Sequence, residues 1–188
     1  RGLSAPCQLN QVLPLADQAH LIRYENDDYV RWHTLQVVFI DAIESIITNQ
    51  SGISRGFFSW DEYHRVTAHM LELLGKNAEP TAIYANGYGP NQSQQFWRKP
   101  NPGMLLEAAK DLRIDLSQST IIGDRLSDLK AGANAGLLQL IHVLTGHGHK
   151  ERPQIEQALQ ANDQFAQGTV VKLINNLKEL AGASPLLQ

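Results

Sequence analysis

The chain has 188 residues, of which 43% are hydrophobic and 19% charged, so its size and composition fit one soluble globular domain with a real core. A net charge of -3 excludes a nucleic-acid or membrane surface built on excess positive charge, so neither partner is expected. The single cysteine, Cys7, excludes an internal disulfide and a Cys-based zinc cluster; no run is long and apolar enough to span a bilayer, and residues Arg1 to Pro6 lack the apolar core of a signal peptide. A cytoplasmic protein is the resulting expectation.

Short apolar runs alternate with amphipathic stretches, which predicts an α/β fold with a mainly parallel sheet. Val12 to Ala16 is a weak strand, since Pro14 lies inside it, and it ends at Asp17. Val37 to Ile47 is apolar and reads as helix, strand or both, ending in a polar turn from Thr48 to Gly52. Ser59 and Glu62 have capping-box spacing, and Tyr63, Val66, Met70, Leu73 and Leu74 fall on one helical face before Gly75. Thr81 to Tyr84 is a candidate strand and residues 85–97 a polar loop. Asn101-Pro102 then opens a helix that buries Met104, Leu105, Ala108, Ala109 and Leu112. Ser119 to Ile122 is a short strand leading into Gly123-Asp124. Ser127 and Asp128 begin a helix that closes near Gly136, and Leu138 to Leu144 reads as a strand. A final helix is predicted near Thr169 to Leu180, carrying Val170, Leu173, Ile174 and Leu177.

In open α/β sheets, ligands bind beyond the carboxyl ends of the strands. Thr48-Asn49, Arg98-Lys99 and Gly123-Asp124 all follow apolar runs, and Asp17 makes a fourth such position. A hydroxyl, an amide, two cations and carboxylates are what phosphoryl transfer to a carboxylate needs. Taken singly, each piece also fits a plain turn, a helix cap or a solvated lysine.

The blocks Thr48-Asn49-Gln50-Ser51-Gly52-Ile53-Ser54-Arg55-Gly56, Arg98-Lys99-Pro100-Asn101-Pro102-Gly103-Met104-Leu105-Leu106 and Ile122-Gly123-Asp124-Arg125-Leu126-Ser127-Asp128-Leu129 closely resemble the D-glycero-D-manno-heptose 1,7-bisphosphate phosphatases. These, with the histidinol-phosphate phosphatases, form a branch of the haloacid dehalogenase superfamily, and the likeness runs from about Val12 to Gly148. It implies one phosphatase domain over residues 1–188: a Rossmann-like three-layer sandwich with a mainly parallel sheet and a small cap or none. By position, Thr48 is the hydroxyl that binds the transferring phosphoryl group. Asn49, Gln50 and Ser51 shape the substrate site. Lys99 neutralises nucleophile and phosphate, Arg98 contacts substrate phosphate, and Asp124 is a Mg²⁺ ligand. The implied partner is a small phosphorylated substrate such as the heptose bisphosphate, and the expected state is a monomer.

Three departures stand beside the resemblance. An ungapped match from Asp27-Asp28-Tyr29-Val30 back to Leu15-Ala16-Asp17-Gln18-Ala19-His20 places Asp17 as nucleophile and second Mg²⁺ ligand. It puts Ala19 where the family has the aspartate that protonates the leaving group, a task a methyl group cannot perform. His20 is a possible proton source; a chance match of Asp17 in a divergent segment is the other reading. The span from Asp17 to Thr48 is 31 positions, barely the length of about 30 residues that a βαβ unit needs and shorter than the family places between these motifs, which suggests a deleted helix-strand segment. Finally, the family's zinc-loop positions are Ala85, Gly87, Gln95 and Trp97, so no zinc is expected there. The leading expectation is a Mg²⁺-dependent phosphatase; the alternatives are a catalytically silent phosphate-binding module and a degraded gene product.

Overall fold

The computed structural model describes residues 45–74, 82–91, 95–161, 165 and 168–181. The expected strand at Val12 to Ala16, with Asp17, Ala19 and His20, lies outside them, as do residues 37–44, Gly75 and Thr81. The chain divides into two compact units, residues 1–95 and 96–188.

In the first unit, β1 (Ser45–Asn49) pairs in parallel with β2 (Ala82–Asn86), with Thr48 opposite Ala85 and Asn49 opposite Asn86. β-Branched Ile46, Ile47 and Thr48 suit a pleated, buried surface, and all three are buried. The strand therefore continues through Thr48-Asn49, where the sequence suggested a turn, and the chain next makes the single-turn helix α1 (Ser51–Ser54). β2 is buried along its whole length, which carries Ala85 and Asn86 out of the expected loop and into the sheet. Between the strands runs α2 (Trp60–Leu74). Its capping box forms as expected: Glu62 N donates to Ser59 Oγ at 3.2 Å and Ser59 N to Glu62 Oε2 at 2.7 Å. Tyr63 and Met70 are buried on the expected face, joined by Thr67 and Leu71.

In the second unit, β3 (Thr120–Gly123), β4 (Gln139–Val143) and β5 (Val170–Ile174) form a parallel sheet in the order β3-β4-β5. Parallel neighbours need a crossover, and the helices α4 (Leu126–Ala135) and α5 (Gly148–Ala161) supply it. α4 packs on β3 and β4, α3 (Gly103–Leu112) packs on α4, and α3 buries Met104, Leu105 and Ala108. Ala109 and Leu112, expected in that core, are only half-buried. α3 starts one residue later than Asn101-Pro102 suggested: Pro102 is the cap residue and Asn101 N donates to the Arg98 carbonyl at 2.8 Å. α4 closes where expected, because Gly136 takes the left-handed conformation (φ 91°) that side chains avoid.

Two expectations are corrected. Residues 170–174 are a strand rather than part of a final helix, and among the described residues only the short α6 (Lys178–Ala181) follows. Val170, Leu173, Ile174 and Leu177 do fit a helical period, but Val170, Val171 and Ile174 are β-branched, and pairing with β4 decides the conformation. The sequence reading also missed α5. Its apolar side is thin, with Ile155 and Ala158 buried, and Pro153 lies inside it, so periodicity gave no signal there.

Candidate active site

In the first unit, the carboxyl ends of β1 and β2 are tied together by polar groups. Thr48 is fully buried, and its Oγ1 accepts a hydrogen bond from Gln50 Nε2 at 2.8 Å. Gln50 is itself buried, and its backbone N donates to the Asn86 carbonyl at 2.7 Å. With Gln50 donating to the oxygen, the Thr48 hydroxyl keeps its own hydrogen for an acceptor such as a phosphate oxygen. Ser51 Oγ accepts from Arg55 Nη2 at 2.8 Å, so hydroxyl and guanidinium sit together on the exposed turn after the strand. Asn49 is half-buried at the strand end.

In the second unit, Lys99 and Asp128 form a buried ion pair, Nζ to Oδ1 at 2.7 Å, with side-chain exposures of 4% and 2%. Such a pair holds only when the remaining atoms are also satisfied, and Asp128 Oδ2 accepts from Arg125 N at 3.0 Å. Asp128 thus caps α4 with one oxygen and aims the lysine with the other. Gly123 makes room for this: a Cβ at residue 123 would lie 2.6 Å from Asp128 Oδ2 and 2.8 Å from its Cγ. The Lys99–Pro100 bond is cis. Arg98, next to Lys99, is half-buried.

Asp124 follows β3 and is buried. Its Oδ2 accepts from His147 N at 2.7 Å, and its backbone carbonyl lies 3.2 Å from His142 Nε2. Arg152 Nε donates to His142 Nδ1 at 2.9 Å, and Arg152 Nη2 donates to the Ile174 carbonyl at 2.6 Å. Burial, then the hydrogen bond to the Asp124 carbonyl in the opposite sense, then the nearby Arg152 charge set the His142 pKa; the balance holds it below the ordinary imidazole value. Arg152 Nε can only donate, so Nδ1 receives that bond with its lone pair, as a neutral ring does. Since Nδ1 accepts from Arg152, the proton resides on Nε2 and points at the Asp124 carbonyl.

Of the residues singled out from sequence, Thr48 and Gln50 meet in the first unit, with Asn49 and Ser51 on either side of Gln50. Arg98, Lys99 and Asp124 belong to the second, and Asp17 lies outside the described residues. Sequence reasoning took Asp128 only as a helix start and passed over His142 and Arg152. The four-residue step from Asp124 to Asp128 was a usable signal for the first. Nothing local marked the other two, whose roles arise from strand and helix packing.

Mg²⁺ is bound through one or two carboxylates together with substrate phosphate and water. Asp124, a buried carboxylate oriented by a backbone N–H and standing at the end of a parallel strand, fits that kind of donor set. Among the described residues no three His, Cys, Asp or Glu side chains gather as a full protein cage. Among them, too, no helix is long and apolar enough to cross a membrane.

A parallel α/β sheet, a lysine paired to a helix-capping aspartate and a strand-terminal Gly-Asp define a haloacid-dehalogenase-type phosphatase scaffold, and comparison with known proteins agrees. Residues 96–172 match the HAD-hydrolase-like family model. The D-glycero-alpha-D-manno-heptose-1,7-bisphosphate 7-phosphatase of Photorhabdus laumondii is 38% identical over 136 residues, covering 69% of this chain and 72% of that protein. The D-glycero-beta-D-manno-heptose-1,7-bisphosphate 7-phosphatase of Mesorhizobium japonicum is 45% identical over 101 residues, 50% of this chain, but the match spans only 46% of that relative. The solved D,D-heptose 1,7-bisphosphate phosphatase of B. bronchiseptica, complexed with magnesium and phosphate, superposes with a TM-score of 0.56 at 27% identity, over 82% of this chain and 79% of that one. The chain belongs to the haloacid-dehalogenase-like hydrolases, in the branch of the heptose-1,7-bisphosphate 7-phosphatases.

Proposed function

We propose that this protein is a phosphoric monoester hydrolase acting on a small sugar bisphosphate of the heptose 1,7-bisphosphate kind, with Mg²⁺ and a covalent aspartyl-phosphate. The observation that carries the reading is the buried Lys99–Asp128 pair together with Asp124 oriented at the end of β3. A buried, oriented ammonium is costly to maintain and has a clear use in holding an anion. The whole chain, residues 1–188, acts as one catalytic domain, cytoplasmic and monomeric.

In this reading an Asp17 carboxylate oxygen attacks phosphorus as the bond to the sugar oxygen breaks. Thr48, aimed by Gln50, donates to a phosphoryl oxygen. Asn49 and Ser51 shape the substrate side, Arg98 contacts phosphate, and Lys99 offsets the charge on nucleophile and phosphoryl group. Asp17 and Asp124 would hold Mg²⁺, which when bound adds charge neutralisation at the transferring group. Ala19 donates no proton, so the departing sugar oxygen takes its proton from His20 or from water. Water then attacks the aspartyl-phosphate, releasing phosphate and restoring Asp17.

An aryl phosphate has a good leaving group that needs little protonation, so it reports the nucleophile and the charge site without depending on residue 19. The expected result is Mg²⁺-dependent hydrolysis of an aryl phosphate by the wild type and only background release by Asp17→Asn. Equal rates in the two proteins would remove the aspartyl-phosphate step. Stabilisation of the fold by phosphate without any turnover would instead identify a binding module.

A further inference from the structure

We infer that His142 and Arg152 are positioning residues that fix the main chain of Asp124 and so set how tightly its carboxylate holds Mg²⁺, an inference that rests on the metal role just proposed. His142 is fully buried on β4, at a position where the neighbouring Leu140, Ile141 and Val143 are aliphatic. A buried imidazole is retained only when its polar atoms are matched, and both of its nitrogens are engaged. Nδ1 takes the Arg152 Nε proton at 2.9 Å, and Nε2 faces the Asp124 carbonyl at 3.2 Å. Arg152, from α5, also reaches the Ile174 carbonyl at the end of β5. The same helix carries Glu151, whose Oε2 accepts from Leu126 N at 3.2 Å, two residues past Asp124.

The ends of β3, β4 and β5 and the first half of α5 are thereby joined through one arginine and one histidine. The His147 N–H on Oδ2 holds the Asp124 carboxylate directly, and the His142 ring holds the backbone carbonyl of the same residue. Partners of this kind, one layer behind a metal ligand, typically change metal affinity by about 10–100-fold when lost.

The test measures Mg²⁺ dissociation constants by calorimetry on the full chain. Arg152→Met and His142→Phe keep bulk but lose the donors, and each is expected to weaken Mg²⁺ binding by about 10–100-fold. Glutamine places an N–H at the same bond position as arginine Nε. Arg152→Gln is therefore expected to recover most of the affinity. Ile155→Val, on the same helix and fully buried, is the packing control, with affinity expected to stay at the wild-type level.

Wild-type affinity in folded Arg152→Met and His142→Phe would overturn the inference. Equal weakening in Ile155→Val would do the same, since the effect would then be general loosening. Nitrogen NMR of the wild type gives a readout that does not depend on any variant folding: the ring must carry its proton on Nε2, and an Nδ1-protonated His142 overturns the inference. A wild type that binds no Mg²⁺ removes both this inference and the functional reading. A wild type that binds Mg²⁺ and hydrolyses nothing removes only the functional reading.

Discussion

Lys99→Met lowers the free energy of unfolding by roughly 3–5 kcal/mol, the usual cost of breaking a buried ion pair from one side. The lost attraction is the smaller part. Asp128 keeps its carboxylate at 2% exposure, with Arg125 N on one oxygen and no cation on the other. Removing both charges together costs less than removing one: Lys99→Met combined with Asp128→Asn is expected to recover much of the loss, because asparagine still offers an oxygen to the Arg125 N–H. Neither variant regains activity, since both lack the cation that offsets the phosphoryl charge. Denaturant unfolding of the two single variants and the double variant measures the coupling. A Lys99→Met loss under about 1 kcal/mol, the range of exposed pairs, would contradict the buried geometry.

The second large effect concerns Ala19. If the missing proton donor limits turnover, Ala19→Asp raises hydrolysis of an alkyl phosphate such as a sugar phosphate by about 10²–10⁴-fold, the usual contribution of general acid catalysis. An aryl phosphate, whose oxygen leaves readily without a proton, gains much less. The ratio of the two gains is the diagnostic quantity. A parallel rise for both substrates would mean that residue 19 acts through binding or folding, and no rise for either would contradict the alignment of Asp17, Ala19 and His20 with the nucleophile motif.

Much of the second unit could be read in the sequence, because its local signals agree with its packing. The Asn101-Pro102 start, the Gly136 stop and the short apolar runs at 120–123 and 139–143 each carry their own chemistry, and boundaries shifted by a residue or so. The failures have physical causes. Val170 to Ile174 satisfies two periods at once, and only pairing with β4 selects the strand. α5 buries too few side chains to show a period, and its main contributions are polar: Arg152 to His142 and Glu151 to the α4 start. The candidate site was legible where the proposed role rests on residue type at a strand end, as with Thr48 and Asp124, whereas Lys99 follows the short turn that ends at Trp97 and was legible from its sequence block alone. The site was not legible where function rests on a partner brought by the fold. Asp128 holding Lys99 and His142 behind Asp124 are of that second kind. Gln50 illustrates the boundary: its block was recognised, but its hydrogen bond to Thr48 reveals an orienting role that spacing alone does not.

The most direct measurement is chemical trapping of the covalent step. Protein quenched during turnover and treated with borohydride should have its acyl-phosphate reduced, converting the phosphorylated aspartate to homoserine, which mass spectrometry locates in a peptide. The account expects the converted residue at position 17, in the presence of Mg²⁺ and substrate together, and none in Asp17→Asn. Conversion at another aspartate, or steady phosphate release with no trapped residue at all, would contradict it.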